Sequence, residues 1–312
     1  MKVIGKSGNK SLAVVYIAEN DNGHRLEFVE SIQPPIPREK KWVLIISTSY
    51  GCPIKCPFCD AGSHFKGKIS RVDLFNQIDY MVEKRFPDGL IPVEKFKIQF
   101  ARMGEPALNP HVLEVLEELP ERYTAPGLIP TISTIAPKGC DVFLDQIKRI
   151  KNEIYGSRFQ LQFSIHTTDS KWRDWMIPVQ KWSLNQIAKF GEKYYRKGDR
   201  KITLNFALAQ DTPMDPKILS HFFSPEIFFI KITPINPTYQ AHAHQLTSYI
   251  MPHQEKYETV EKLKDAGYEV LISIGQWEEN QIGSNCGQFI TNYQNTKAKL
   301  ENSYTSAVQS VN

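Results

Sequence analysis

Apolar, strand-sized runs alternate with stretches of helical period through most of this chain of 312 residues. The runs are residues 42–48, 95–101, 128–134, 158–165, 201–208, 226–233 and 268–274. Amphipathic segments with a helical spacing of apolar residues lie between most of them. Six or seven β–α units on one chain imply a parallel sheet with helices outside it. We therefore predict an α/β fold, either a doubly wound sheet or a full or partial (β/α) barrel, with the barrel favoured.

The first forty residues come before this alternation. Residues 11–32 predict two short strands joined at the Asn-Asp-Asn-Gly turn of residues 20–23, which is a strong hairpin signal. A proline-rich linker follows. We assign residues 1–40 to a β hairpin and linker, 41–290 to the barrel core, and 291–312 to a polar tail that we expect to be frayed.

Composition and hydropathy indicate where the protein resides and which partners it binds. No apolar run approaches the roughly 20 residues of a membrane span, and the amino terminus lacks the apolar core of a signal peptide. We therefore expect a cytoplasmic protein with no membrane partner. The formal net charge is +4 and the pI is about 8.6, which is too mild to argue for a nucleic-acid partner.

Three cysteines lie close together after the first predicted barrel strand. Cys52, Cys56 and Cys59 have the spacing C-x3-C-x2-C. Iron–sulfur clusters prefer thiolate ligands, and a cubane takes four, so three thiolates on one loop leave one iron open for chemistry. The alternative is a zinc site completed by His64. The loop lies at the rim of the β/α fold where catalytic groups gather, which favours a 4Fe–4S cluster.

The cysteine spacing, with Phe58 before the last cysteine, resembles the signature of the radical S-adenosylmethionine (SAM) superfamily. Other segments across about residues 11–290 resemble motifs of the RlmN/Cfr family of radical SAM adenine methyltransferases, in the family's order. They are Arg102-Met103-Gly104-Glu105-Pro106 with Asn109, Ile132-Ser133-Thr134, Ser164-Ile165-His166 followed by Arg173-Asp174 and Ile177-Pro178, Thr233-Pro234-Ile235-Asn236-Pro237, and Cys286-Gly287-Gln288. The fold implied is a partial (β/α)6 TIM-like barrel of the radical SAM type with a small N-terminal β hairpin.

The resemblance also implies a 4Fe–4S cluster, SAM and an electron donor such as flavodoxin or ferredoxin. Gly104 and Glu105 would hold the amino group of SAM, since a carboxylate facing an ammonium is a charge-assisted hydrogen bond. Three further residues, Ser133, Ser164 and His166, would meet the ribose or the methionine carboxylate of SAM. Asn236 would contact its adenosine end. The alternatives are strand-end capping for the two serines and an ordinary hydrogen-bonded histidine.

Two residues carry the family's catalytic roles. Cys286 matches a cysteine that a first SAM methylates, and a radical derived from a second SAM then activates that methyl group. A lone cysteine is otherwise most often a small buried apolar residue. Glu27 matches a glutamate that is proposed as a proton acceptor in the family. The alternative interpretation is that Glu27 is a solvated glutamate on a strand.

The chain departs from the family at two places. The family has a resolving cysteine seven residues before the first cluster ligand, where this chain has Ile45, and only Cys140 offers a substitute thiol. Family members also have a helical RNA-binding domain before the hairpin, whereas this chain begins almost at the hairpin.

These departures lead us to predict a radical SAM methyltransferase-like enzyme that uses Cys286 as methyl carrier. Its substrate would be something other than the usual rRNA or tRNA adenine, with a small molecule or a peptide favoured over RNA. One alternative is a radical SAM enzyme that abstracts hydrogen directly from its substrate without methyl transfer. Another is a non-catalytic iron–sulfur or zinc protein that binds RNA, which would need neither Glu105 nor Asn236.

Overall fold

A computed structural model gives the fold. It describes residues 1–63, 65–251, 256–276, 278–284, 290 and 305–311. Within these residues the chain forms one large mixed sheet, one two-stranded ribbon, and helices that connect the strands. The strands are β1 Lys2–Gly8, β2 Ala13–Glu19, β3 Arg25–Ser31, β4 Trp42–Ile46, β5 Ser49–Tyr50, β6 Gly67–Lys68, β7 Phe96–Phe100, β8 Leu128–Thr134, β9 Gln160–Ser164, β10 Ile202–Leu208, β11 Phe228–Pro234, β12 Val270–Ile272 and β13 Gln309–Ser310. The helices are α1 Arg71–Glu83, α2 His111–Arg122, α3 Asp141–Ile150, α4 Ser170–Met176, α5 Leu184–Tyr194, α6 Pro216–Phe222, α7 Tyr239–Ala243, α8 Glu258–Asp265 and α9 Glu278–Ile282.

The sequential parallel strands confirm the predicted α/β class. In the large sheet β4, β7, β8, β9, β10, β11 and β12 lie side by side in chain order, and each neighbouring pair is parallel. A doubly wound sheet would reverse its order at a switch point. The order found here never reverses among the described strands, and β12 pairs with β11 alone, so the sheet has the form of a partial barrel of the TIM-like type.

Side chains on these strands alternate between a packed outer face and a polar inner face. On β7, Phe96, Ile98 and Phe100 are fully buried under the helices, whereas Lys97 and Gln99 between them are half-buried and face the lumen. The outer helices meet the apolar face with their own stripes, such as Val112, Val115, Leu116 and Leu119 of α2. The lumen is therefore lined with polar groups while the core lies between sheet and helices.

The N-terminal hairpin is part of the same sheet. The predicted pair of strands is confirmed as β2 and β3, and β3 continues the sheet by pairing antiparallel with β4, where Val29 lies opposite Ile45. Two strands were not expected. Strand β1 adds to β2, and β13, which lies in the segment assigned to the polar tail, adds to β1 through Gly5 and Ser310.

In the part of the chain that the structure describes, none of the helices combines the length and the apolar character that crossing a membrane requires.

Candidate functional site

A cleft of about 410 Å³ opens at the carboxyl ends of the parallel strands. Rim loops follow each strand there, so residues distant in the chain converge on one space. The cleft is lined by every described residue that the sequence analysis proposed for the cluster and for SAM. These are Cys52, Cys56, Cys59, Gly104, Glu105, Ser133, Ser164, His166 and Asn236.

The cysteine loop is fixed by contacts at both of its ends. At its start, Thr48 and Ser49 donate their backbone N–H groups to the carbonyl of Met103, at 2.7 and 3.2 Å. At its end, the Asp60 carboxylate accepts the backbone N–H of Gln240 at 2.9 Å, and the Thr238 hydroxyl donates to the carbonyl of Phe58 at 2.9 Å. The loop is thereby joined both to the loop after β7 and to the start of α7.

The three thiols line the cleft, and the described residues do not draw them around one point as a single metal ion would. Across the described residues no three His, Cys, Asp or Glu side chains are gathered closely enough to hold one ion, as tetrahedral zinc would require. The thiolates of a cubane bind separate irons and stand farther apart. Burial raises the pKa of the Cys52 thiol to about 11, and a cation bound beside it would favour the thiolate. His64, the fourth ligand of the zinc alternative, lies outside the described residues.

Gly104 is placed where no side chain fits. Its φ of +100° belongs to the left-handed region, and a β-carbon there would lie 2.1 Å from the Ser49 hydroxyl oxygen. The loop after β7 can therefore approach the cysteine loop closely only with glycine at this position.

Glu105 is a buried carboxylate with several donors around it. It accepts hydrogen bonds from the Thr134 hydroxyl at 2.5 Å and from the backbone N–H groups of Ile135 and Ala107 at 2.9 and 3.0 Å. Burial raises its pKa to about 7, against the lowering effect of these donors. A carboxylate offers about four lone-pair sites, so the cleft side of Glu105 can accept one further donor.

His166 is held as a neutral ring. Its backbone has a φ of +65°, and its Nδ1 accepts the backbone N–H of Ala207 at 3.0 Å, which leaves the proton on Nε2. Burial, together with the nearby Arg173 guanidinium, lowers the pKa of His166 to about 3. The ring therefore offers an N–H donor at physiological pH and no positive charge.

Of the two catalytic candidates of the sequence, the structure describes one. Cys286 falls outside the described residues. Glu27 is described, and it is fully buried on β3 and does not line the cleft, so the alternative of a solvated glutamate is wrong. Its carboxylate pairs with Arg102 at 2.5 Å and accepts the backbone N–H of Ile290 at 2.9 Å.

Ile45 and Cys140, the two positions that the sequence analysis connects with the family's resolving cysteine, lie in different environments. Ile45 lines the cleft, as Cys52 and Cys59 do, and all three pack against the same apolar cluster. An isoleucine thus occupies the wall where the family resemblance expects a thiol. Cys140 is 2% exposed at the start of α3 and is not among the cleft-lining residues. Burial raises the pKa of its thiol to about 12, which makes it a poor nucleophile in this position.

Several cleft residues were missed by the sequence analysis. They are polar side chains on the inner faces of the strands, namely Gln99, Gln162, Asn205 and Lys231. The available signal was the alternation of apolar and polar residues within each strand, which places polar groups on a lumen if the sheet curves into a barrel.

Comparison with known proteins finds relatives in sequence. No family model matches the chain. A probable dual-specificity RNA methyltransferase RlmN of Chlorobaculum tepidum is 28% identical over 276 residues, which span 85% of this chain and 68% of the relative. The protein of the same description from Thermus thermophilus is 26% identical over 264 residues, spanning 81% of this chain and 68% of the relative.

A solved structure shares the fold. The crystal structure of a radical SAM methyltransferase from Sphaerobacter thermophilus superposes with a TM-score of 0.62 at 16% identity, covering 88% of this chain and 78% of the other. The chain therefore shares the fold of a radical SAM enzyme and is similar in sequence to members of that class, which use a 4Fe–4S cluster and SAM. Within that class it is related to the RlmN-type methyltransferases.

Proposed function

We propose that the chain is a radical SAM methyltransferase that uses Cys286 as a methyl carrier and acts on a substrate other than the usual rRNA or tRNA adenine. In this proposal Cys52, Cys56 and Cys59 bind the cluster. SAM is bound by Gly104, Glu105, Ser133, Ser164, His166 and Asn236. The observation that carries the proposal is that the three cysteines and Glu105 line one cleft at the active rim of the barrel.

Glu105 is suited to bind an ammonium group. Three protein donors hold its carboxylate in one orientation, and its remaining acceptor position is on the cleft side. In the ionised form it would accept a charge-assisted hydrogen bond from the amino group of SAM. When bound, the cluster and SAM together supply a 5′-deoxyadenosyl radical.

The other rim residues can orient SAM without adding charge. His166 offers an N–H donor as a neutral ring, and the hydroxyls of Ser133 and Ser164 can donate or accept. Neutral groups of this kind suit the ribose hydroxyls of SAM. Asn236, after β11, offers both a donor and an acceptor to an adenine edge.

Cys286 gains support as the methyl carrier from the described residues on either side of it. Ser284, two positions before it in the sequence, lines the cleft. The backbone carbonyls of Gly283 and Ser284 accept hydrogen bonds from Arg102, and the N–H of Ile290 donates to Glu27. In the first half of the reaction the Cys286 sulfur would lose its proton and take the methyl group of SAM, releasing S-adenosylhomocysteine.

We assign Glu27 a positioning role in place of proton acceptance. Both of its oxygens are engaged by Arg102 and by Ile290, and the side chain is excluded from the cleft. It would hold the segment that carries Cys286 against the loop after β7.

The substrate is expected to differ from that of the relatives, whose names describe dual-specificity RNA methyltransferases. Ile45 offers no thiol at the cleft wall, so a methylated product cannot be released by disulfide formation at that position. A small molecule or a peptide is the substrate class that we favour, with a flavodoxin or ferredoxin as electron donor in the cytoplasm.

Ile45 also favours a second candidate function. A radical SAM enzyme that removes hydrogen directly from its substrate needs no resolving thiol and no methyl carrier. Cys286 would then stay unmodified while SAM is still cleaved.

The test is SAM turnover by the anaerobically reconstituted protein after reduction with dithionite. We expect 5′-deoxyadenosine from the wild type. Glu105→Gln should bind SAM about ten- to a hundredfold more weakly, because it loses a charge-assisted bond. Glu94→Gln, which changes an exposed carboxylate paired with Lys40, is the matched control and should behave as wild type. Zinc without iron, and no 5′-deoxyadenosine, would overturn the proposal.

A further inference from the structure

Three polar residues form a row across the lumen wall. Ser164 on β9 is in register with Asn205 on β10, and Asn205 is in register with Lys231 on β11. All three line the cleft. Neighbouring strands are about 4.8 Å apart, so Lys231 lies roughly 10 Å across the sheet from Ser164.

Lys231 is exceptional among the groups that line the cleft. Of the described lining residues, Arg102 and Lys231 are the two that carry a lysine or arginine side chain. The guanidinium of Arg102 is engaged by Glu27 and by the carbonyls of Gly283 and Ser284. Among the described lining residues Lys231 is the lysine or arginine on the β11 side of the lumen, and Asn205, in register with it on β10, is a neutral amide.

The lumen beside Lys231 is accessible from solvent. The next strand, β12, is the edge of the sheet, and its residue in register with Lys231 is Leu271, which is 50% exposed. No described strand closes the barrel beyond β12, so within the described residues this part of the lumen opens to the side as well as at the rim.

A second lysine adds positive charge to the lumen when it is protonated. Lys97, on the inner face of β7, donates to Gln160 at 2.7 Å. Burial lowers its pKa to about 7, and the charge of Lys231 is the foremost electrostatic contribution in the same direction. Two lysines that repel one another inside a polar lumen would both be stabilised by an anion between or beside them.

We propose that Lys231, with the amide of Asn205 in register beside it, binds an anionic oxygen group, a carboxylate or a phosphate, of the ligand in the cleft. The inference rests on the proposed function in one respect, that SAM occupies the rim. Two molecules could supply the group: the substrate, or SAM through its methionine carboxylate. An ammonium with an amide beside it binds either by the same charge-assisted hydrogen bonds.

The first arm of the test measures anion binding by the reconstituted holoenzyme loaded with SAM. Inorganic phosphate and succinate are titrated under anaerobic conditions and followed by calorimetry. For a substrate-side site, Lys231→Gln should weaken binding about tenfold or more, whereas Lys231→Arg should retain it. Lys201→Gln is the matched control, because Lys201 pairs with Glu269 beside the amino end of β10 and lies away from the cleft.

The second arm compares SAM with decarboxylated SAM, each binding to the holoenzyme in the absence of added anion. If the group belongs to SAM, Lys231→Gln weakens SAM about tenfold and leaves decarboxylated SAM unchanged. If the anionic group belongs to the substrate, Lys231→Gln leaves the affinities for SAM and for decarboxylated SAM unchanged. The variant then weakens anion binding in the first arm. If Lys231→Gln has the affinities of the wild type in both arms, the inference is overturned.

Failure of the inference is separable from failure of the proposed function. Formation of 5′-deoxyadenosine and methylation of Cys286 are measured on the same wild-type preparation, and neither requires Lys231 to bind a substrate anion. A wild type that binds anions through Lys231 but leaves Cys286 unmodified would overturn the methyl-carrier proposal alone. The cluster absorbance of Lys231→Gln verifies that the variant is folded.

Discussion

Arg102 and Glu27 form an ion pair in which both side chains are removed from solvent, with side-chain exposures of 1% and 0%. The pair joins the loop after β7 to the N-terminal hairpin. Arg102 also binds the carbonyls of Gly283 and Ser284, and Glu27 binds the N–H of Ile290, so one buried contact fixes both flanks of residues 285–289. The hairpin therefore contributes to the active rim although its residues do not line the cleft.

Removing one partner of this pair should destabilise the protein strongly. Arg102→Met leaves Glu27 buried without its cation, which typically costs about 3–5 kcal/mol. The double variant Glu27→Gln/Arg102→Met removes the uncompensated charge and should be more stable than Arg102→Met alone. Thermal unfolding of the four proteins measures the coupling. Strictly additive effects of the two substitutions would contradict the ion pair.

Gly104 should be intolerant of a side chain. Gly104→Ala puts a β-carbon within 2.1 Å of the Ser49 hydroxyl oxygen and at a φ of +100°, so we expect a loss of roughly 2 kcal/mol or more and weakened SAM binding. Gly139→Ala is the matched control. Gly139 has a φ of +85° but no atom within 4 Å of the added carbon, so it reports the conformational cost alone. Equal melting temperatures for the two variants would contradict the close approach.

Replacing Lys97 should stabilise the protein in a pH-dependent way. Its pKa is lowered from 10.5 to about 7 in the folded protein, so between these values the unfolded chain binds more protons and the stability of the wild type rises with pH. Below pH 7 the lysine is charged in both states and the full cost of burying it is present. Lys97→Met should therefore raise the free energy of unfolding by roughly 1–3 kcal/mol at pH 6.

The gain from Lys97→Met should shrink by pH 9, because the folded wild type then holds Lys97 uncharged. Melting temperatures of the wild type and the variant at pH 6 and pH 9 test this. Lys95→Met, at an exposed position two residues earlier, controls for a change of net charge. A gain that is no larger at pH 6 than at pH 9 would count against a buried, repelled lysine.

Iron content should separate the cluster ligands from the other described cysteine. Cys56→Ala should lose most of the iron and sulfide that the wild type binds after reconstitution, because a cubane held by two thiolates is poorly retained. Cys140→Ala should keep its full complement, since Cys140 is buried at the start of α3 and is not among the residues that line the cleft. Loss of iron in both variants, or in neither, would contradict the assignment of Cys52, Cys56 and Cys59.

The sequence was most informative where local pattern determines structure. The parallel strands could be predicted because each combines a short apolar run with an amphipathic segment after it, and the hairpin could be predicted from its turn. Strand β1 was missed because residues 2–8 mix glycine, lysine and serine with few apolar residues. The two residues of β13 carry no signal of their own and pair only because β1 offers an edge.

The candidate site, too, could be predicted from the sequence only in part. Residues at strand ends, such as Glu105 and His166, could be grouped because parallel strands share a carboxyl rim. The environment of Glu27 could not be predicted, since its partner Arg102 is distant in the chain and the pairing depends on how β3 meets β4. Lys231 was missed because its role depends on which face of the strand lines the lumen. The local sequence does not determine that.

The central claim is that Cys286 carries a methyl group, and peptide mass spectrometry tests it most directly. The protein is reconstituted anaerobically, incubated with SAM and digested, with Cys140 in the same digest as an internal control thiol. We predict a SAM-dependent increment of one methyl group on Cys286 and none on Cys140. An unmodified Cys286, in a preparation that does form 5′-deoxyadenosine on reduction, would contradict the methyl-carrier account and leave direct hydrogen abstraction in its place.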